Sequence, residues 1–228
     1  MLSVVVPVGD YENKQDIISL VDRLECLPSG SEILLVSQEA NIFSLSSKMP
    51  LKWVIIQLPP HANARGYALN QGANLAHSKY LWFLHADSVF DSKAVEILLA
   101  TIAQSSSSFL YFRLAFLGKS RMWLNAQGAN IRSRLFHAPF GDQGFCVSAK
   151  IFASLGGYEE QCQYGEDHLL ACKAHYRKIP FVQVDASIVT SARKYERKGW
   201  LKITLLHQYL WVKQYLWAYY IYKIKGEK

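Results

Sequence analysis

Over its first hundred residues the chain alternates dense apolar runs with stretches of helical period. Leu2 to Val8 (LSVVVPV) is β-branched, uncharged and stopped by Gly9 and Asp10. A continuous run of that kind suits a central parallel strand covered on both faces. Glu32 to Val36, Trp53 to Ile56 and Tyr80 to Leu84 (YLWFL) read as further strands. Between them, Lys14 to Leu27 carries Ile17, Ile18, Leu20, Val21 and Leu24 at helical spacing and ends at Pro28 and Gly30. Ala64 to Ala76 predicts a second helix, and Asp91 caps a third that runs to about Ala103. Past the serine run Ser105 to Ser108 the pattern is less regular. A strand near Phe109 to Phe116 and a helix near Arg121 to Arg132 are followed by mixed segments.

Strands alternating with helices at this spacing imply an α/β fold, with a mostly parallel central sheet flanked by helices. Ligands of such sheets bind beyond the carboxyl ends of the strands. That rule directs attention to Gly9–Glu12, Ser37–Asn41 and His85–Asp87.

Composition narrows the function classes. Half of the 228 residues are hydrophobic and 19% are charged, which provides a core and excludes wholesale disorder. The net charge of +7 lies entirely in the last stretch. From Arg193 onward there are nine Lys/Arg against two Glu, while Met1 to Ala192 has sixteen of each sign. A neutral body argues against a nucleic-acid partner. Cys26, Cys146, Cys162 and Cys172 form no C-x-x-C pair and no zinc-finger spacing, so they are expected as free thiols in a reducing cytoplasm. The apolar N-terminus lacks a basic leader and a small-residue cleavage site, and it is read as a strand rather than a signal peptide. The chain has no internal repeat.

Four segments carry candidate chemistry. The strand ending in His85-Ala86-Asp87 puts a carboxylate at the open end of a rigid element. There it can hold a divalent cation, or equally well cap the turn into the next helix. Gly165-Glu166-Asp167 opens a helix over His168 to Tyr176, where two acids are stabilised by the helix dipole. Phe140-Gly141-Asp142-Gln143-Gly144 permits close backbone approach to a ligand, or forms an ordinary turn. The cations of Thr190 to Lys198 suit either a diphosphate clamp or a solvated basic loop.

Taken in order, these segments resemble glycosyltransferase family 2, the nucleotide-sugar enzymes of the GT-A fold, a Rossmann-related architecture. The resemblance covers roughly Met1 to Lys198. It rests on SVVVPV, on Arg65 to Asp87 (RGYALNQGANLAHSKYLWFLHAD), on Phe140 to Glu160 with Gly165 to Leu170 (GEDHLL), and on Thr190 to Gly199 (TSARKYERKG). The HAD, GDQ and TSAR motifs are similar to those of a subgroup of small bacterial family 2 enzymes. The resemblance implies that Asp87 holds Mn²⁺ or Mg²⁺ on the donor diphosphate, as the last acid of a D-x-D motif whose first acid is here His85. His85, with Ala86, then contacts the donor, its ring serving the ribose rather than the metal. Asp167 is implied as catalytic base, with Glu166 beside it. Pro7, Val8, Glu12, Ser37, Gln38, Arg65, Asn70, Arg193 and Arg197 are implied on the donor side, and Gly141, Asp142, Gln143 and Gly144 on the acceptor side. One departure stands out: Ser37-Gln38-Glu39-Ala40 replaces the family's acidic base-reading pair, so UDP is the default nucleotide while GDP or another stays open.

The implied activity is metal-dependent, inverting transfer of a sugar from a nucleoside-diphosphate sugar to an acceptor hydroxyl. Two rivals remain: a catalytically silent nucleotide-binding or scaffold protein of the same fold, and a nucleotidyltransferase. The latter favours a Gly- and Lys/Arg-rich loop after the first strand, where this chain has Gly9-Asp10-Tyr11-Glu12. The division expected is a transferase domain over residues 1–198 and an aromatic, basic helical tail over 199–228. Along Trp200 to Tyr222 the polar residues do not share one narrow face, so the helix needs cover. That cover is the body, a second copy in a homodimer, or an anionic membrane interface serving a lipid-linked acceptor. The location expected is cytoplasmic, peripheral on the inner face of the cell membrane.

Overall fold

The β-branched N-terminal run becomes the middle of a sheet. A computed structural model of the chain describes residues 1–9, 14–38, 53–59, 65–118, 121–162 and 164–225. Glu12, expected on the donor side, lies outside the described residues, as do the side chains of Lys194 and Arg197. In chain order the elements are β1 (Leu2–Val8), α1 (Lys14–Leu24), β2 (Glu32–Ser37), β3 (Trp53–Gln57), α2 (Arg65–Leu75), β4 (Tyr80–Phe83), α3 (Lys93–Gln104) and β5 (Phe109–Leu117). They continue with α4 (Arg121–Phe136), β6 (Cys146–Ser148), α5 (Ala149–Ser154), α6 (Glu166–Tyr176), β7 (Phe181–Ser191), α7 (Arg193–Lys198) and α8 (Trp200–Tyr219). A 3₁₀ turn occupies Gly141–Gln143, and a turn of π-helix, Tyr220–Ile224, extends α8.

The strands pair in the order β3-β2-β1-β4-β6-β5-β7. β1 is parallel to both β2 and β4, β2 to β3, and β5 to β7, while β6 runs antiparallel to its two neighbours. The sheet is therefore mostly parallel, as expected. β1 is apolar throughout because both of its faces are covered. Val4 and Val6 pack with Ile17, Leu20 and Leu24 of α1, and Val5 packs with Leu34, Val36 and Leu69 on the other side. In β4 the same alternation sends Trp82 toward Phe90 and Phe112, and Phe83 toward Phe152 and Tyr158. The strand that presents His85 to Asp87 is thus clamped by aromatic rings from both sides.

Two strands escape the sequence reading for physical reasons. β6 has only three residues, too few to display a period. β7 has eleven residues with polar interruptions, and its pairing with β5 shifts register between Phe112 and Arg113. Val184 and Ile188 share the inward face by strand alternation, while Asp185 stays exposed. The expected basic loop is in fact the end of β7 followed by α7. Asp91 does serve the start of α3, its Oδ1 accepting from the Lys93 amide at 2.9 Å.

Small residues let α2 sit close on the sheet. A Cβ at Gly72 would lie 2.4 Å from Val5 Cγ1 and 3.0 Å from Val36 Cγ2. Gly72→Ala is therefore expected to overpack this interface and destabilise the fold by about 1–3 kcal/mol, read as a lower urea midpoint at unchanged m-value.

Candidate active site

Arg65 opens α2 and reaches two motifs at once. One of its terminal nitrogens donates to His85 Nε2, and the other lies 3.4 Å from Glu166 Oε1 at the start of α6. The guanidinium always donates, so Nε2 must accept, and the neutral imidazole keeps its proton on Nδ1. Burial, reinforced by the Arg65 charge, holds the His85 pKa well below its ordinary value. Nε2 is thereby taken up by Arg65. Burial opposes the Arg65 cation, but Glu166, Asp167, Tyr158 and Asp142 outweigh it and raise its pKa. Glu166 is buried, and burial followed by the charge of Asp167 raises its carboxyl pKa against the pull of Arg65.

Asp167 is held by two amides. Gly141 donates to Oδ2 at 2.5 Å and His168 to Oδ1 at 2.7 Å. A side chain at Gly141 could not coexist with this contact, because its Cβ would fall 2.5 Å from Asp167 Oδ2. Glycine there brings the 3₁₀ turn onto the N-terminus of α6. Asp87, in the turn after β4, accepts two longer contacts from β7, from Thr190 Oγ1 at 3.3 Å and the Ser191 amide at 3.4 Å. Asp142 lies within electrostatic reach of both acids. Burial, then Asp167, and in lesser measure Asp87 raise its pKa to about 6, against the opposing pull of Arg132 and Arg65. Residues 65, 85, 87, 142, 166 and 167, far apart in sequence, thus converge on one region.

Other expected site residues take different roles. Asn70 donates to Tyr158 O at 3.0 Å and Glu160 Oε1 at 2.8 Å and accepts from the Tyr158 amide at 2.9 Å. Its amide is spent on fixing the Gly156-Gly157 turn rather than on a donor. Gln143, expected on the acceptor side, is fully buried. It accepts from Ser133 Oγ at 2.7 Å and the Phe140 amide at 3.1 Å, and donates to Phe112 O at 3.0 Å. Its side chain pins the turn to β5 and α4. Gly144 is likewise structural, with φ +59 and a Cβ position only 2.2 Å from Ile188 Cδ1. Arg193 pairs with Asp16 of α1 and donates to Ser191 Oγ at 2.9 Å, so its guanidinium braces α7 on α1 instead of standing free for a phosphate. Pro7, Val8, Ser37 and Gln38 lie at the carboxyl ends of β1 and β2 as expected, and Ala86 is buried in the turn after β4.

Arg132, Tyr195 and Thr190 have no role in the sequence reading. Arg132 is buried on α4, its guanidinium 3.7 Å above the Phe140 ring and its Nε donating to Ala138 O at 3.0 Å. Burial lowers its pKa to about 10, against the pull of Asp142 and Asp167. The Tyr195 hydroxyl lies 3.0 Å from His207 Nδ1, and burial followed by Asp142 raises its pKa to about 12. No spacing rule could have joined an α4 arginine to an α7 tyrosine; only packing does so.

Residues 46–153 match the family model described as glycosyl transferase family 2. Among solved structures, S. aureus TarS aligns over 96% of this chain and 43% of its own, at 15% identity and a TM-score of 0.65. Its 1–349 segment aligns over 97% of this chain and 72% of its own, with 15% identity and a TM-score of 0.67. The same segment in complex with UDP-GlcNAc aligns over 83% and 58%, at 16% identity and a TM-score of 0.67. The chain spans less than half the length of whole TarS. No curated protein matches the chain. The family-model match and the fold agree: residues 46–153 form a glycosyl transferase family 2 segment, carried on a GT-A fold.

Proposed function

We propose that the chain transfers a sugar, with inversion, from a UDP-sugar to an acceptor hydroxyl, with Asp167 as base and Asp87 as holder of a divalent cation. The observation that carries this reading is the double contact of Arg65, which ties the turn bearing Asp87 to the helix bearing Asp167. The complex of TarS 1–349 with UDP-GlcNAc supports a UDP-sugar as donor class.

Among the described residues no group of three or more His, Cys, Asp and Glu could hold a metal by itself. Mg²⁺ and Mn²⁺ in nucleotide sites need only one or two protein carboxylates, completing their shell with phosphate oxygens and water. Asp87, whose Oδ2 makes only long contacts to Thr190 and Ser191, fits that requirement. A bound cation supplies positive charge against the leaving diphosphate. His85 Nδ1–H is the donor offered to the ribose. Asp167, oriented by the Gly141 and His168 amides, removes the acceptor hydroxyl proton. The oxygen attacks the anomeric carbon as the bond to the diphosphate breaks on the opposite face. One displacement inverts the configuration. Asp142 stands on the acceptor side as a hydrogen-bonding carboxyl.

Asp167→Asn is expected to lower turnover by about 10²–10⁴ while sparing donor affinity. Sugar transfer near the wild-type rate would remove Asp167 as base. For Asp87→Ala, titration calorimetry with UDP-GlcNAc is expected to lose the gain in affinity that Mn²⁺ gives the unaltered chain; an undiminished Mn²⁺ effect would exclude Asp87 from the metal. Asp142 has a raised pKa in the folded state, so the fold binds its proton more tightly than the unfolded chain does. Stability from this group is complete below about pH 4 and lost as pH rises through about 6. Asp142→Asn should therefore stabilise by about 1–2 kcal/mol at pH 7.5 and by little at pH 4, as read by urea unfolding at the two pH values.

A further inference from the structure

The outer faces of α4 and α8 are a surface the transfer chemistry does not use. The two helices lie side by side and parallel. Asn125 Oδ1 accepts from Trp200 Nε1 at 2.7 Å, Asn125 Nδ2 donates to Thr204 Oγ1 at 2.9 Å, and the Phe136 ring lies against Trp211 and Tyr215 further along. The inner side of α8 is covered. Ile203 and Ala218 are buried, and Gln214 donates to Tyr164 O at 2.6 Å beside the start of α6. At about 100° per residue, Leu201, Leu205 and Leu216 fall next to the α8 positions that touch α4. Leu124, Ile131 and Leu135 fall next to the α4 positions that touch α8. All six are exposed, Leu135 at 68% and Leu205 at 60%. They form one apolar strip straddling the contact between the helices. Exposed apolar area of this extent marks an interaction surface.

Charge selects the occupant. Neither helix contains an Asp or Glu, and neither does the turn after α8 as far as Lys225. The strip is rimmed by the exposed cations Arg121, Arg134, Lys202 and Lys213, with Trp123, Tyr209 and Trp217 exposed among them. A second copy docking by this face would set like-charged rims against each other with no acid between them. A bilayer with anionic headgroups meets every feature: leucines enter the acyl boundary, Trp and Tyr rings sit at headgroup depth, and the cations pair with phosphate. No helix among the described residues is long and apolar enough to cross a membrane.

We propose that α4 and α8 together form a docking surface that lays the protein on an anionic lipid bilayer. The surface is independent of the donor chemistry. Flotation of the full chain with phosphatidylcholine vesicles, alone and with 30% phosphatidylglycerol (about one anionic lipid in three), tests it. Binding is expected to the mixed vesicles and to fall with salt. Because α4 supplies half of the strip, Ile131→Gln with Leu135→Gln should weaken binding about tenfold or more with the C-terminal helix intact, as should Leu205→Gln with Leu216→Gln. All four positions are exposed, so the melting temperature should not move. Absence of binding to the mixed vesicles, or wild-type binding by the α4 variant, overturns the proposal. So does a lipid-free dimer in sedimentation velocity that the same substitutions dissolve.

Discussion

A half-buried arginine joins the turn after β4 to the start of α6. Arg65 sits between a neutral imidazole and a buried carboxylate. Glu166 is tolerated in the interior because a cation faces it, and that cation is held in place by His85. An acid in place of His85 would compete with Glu166 for the same guanidinium. The histidine accepts a hydrogen bond without adding charge. A neutral ring at this position is thus compatible with the ion pair beneath.

Around this link the chain uses the absence of side chains as a structural device. Gly66 lies where a Cβ would be 2.8 Å from Glu159 O, and Gly157 where one would be 2.7 Å from Asn70 Oδ1. With Gly72 against Val5 and Gly141 against Asp167, these positions draw α2, α6 and the 3₁₀ turn close to the strand ends. Asn70 and Gln143 then fasten the turns through their side-chain amides. The polar residues of these segments therefore divide into those left open at the candidate site and those that brace the turns around it. The division follows from burial and partner count.

A second layer lies under the 3₁₀ turn Gly141–Gln143. Arg132 stacks on Phe140, and Tyr195 meets His207 of α8. Through these contacts the C-terminal helix is coupled to the turn that carries Asp142. A helix that sequence composition sets apart as a tail is, on its inner side, part of the wall behind the site. Its outer side carries the exposed cations Lys202 and Lys213 together with exposed Tyr209 and Trp217.

The sequence by itself determined the alternating α/β order, the parallel core and the acids at positions 87 and 167. Those properties are written in local periodicity and in residue chemistry at element ends, which do not depend on distant neighbours. It could not reveal the three-residue β6 or the bulged β7, because short or polar-interrupted strands owe their form to the partner they pair with. Nor could it separate Asn70 and Gln143, which brace turns, from Asp87 and Asp167 of the candidate site, since all four are polar residues in the same segments. The Arg65 bridge, the approach of Gly141 to Asp167 and the joint face of α4 and α8 were decided by tertiary structure alone. Each is a contact between residues far apart in the chain, and such contacts exist only once the sheet has brought its strand ends together.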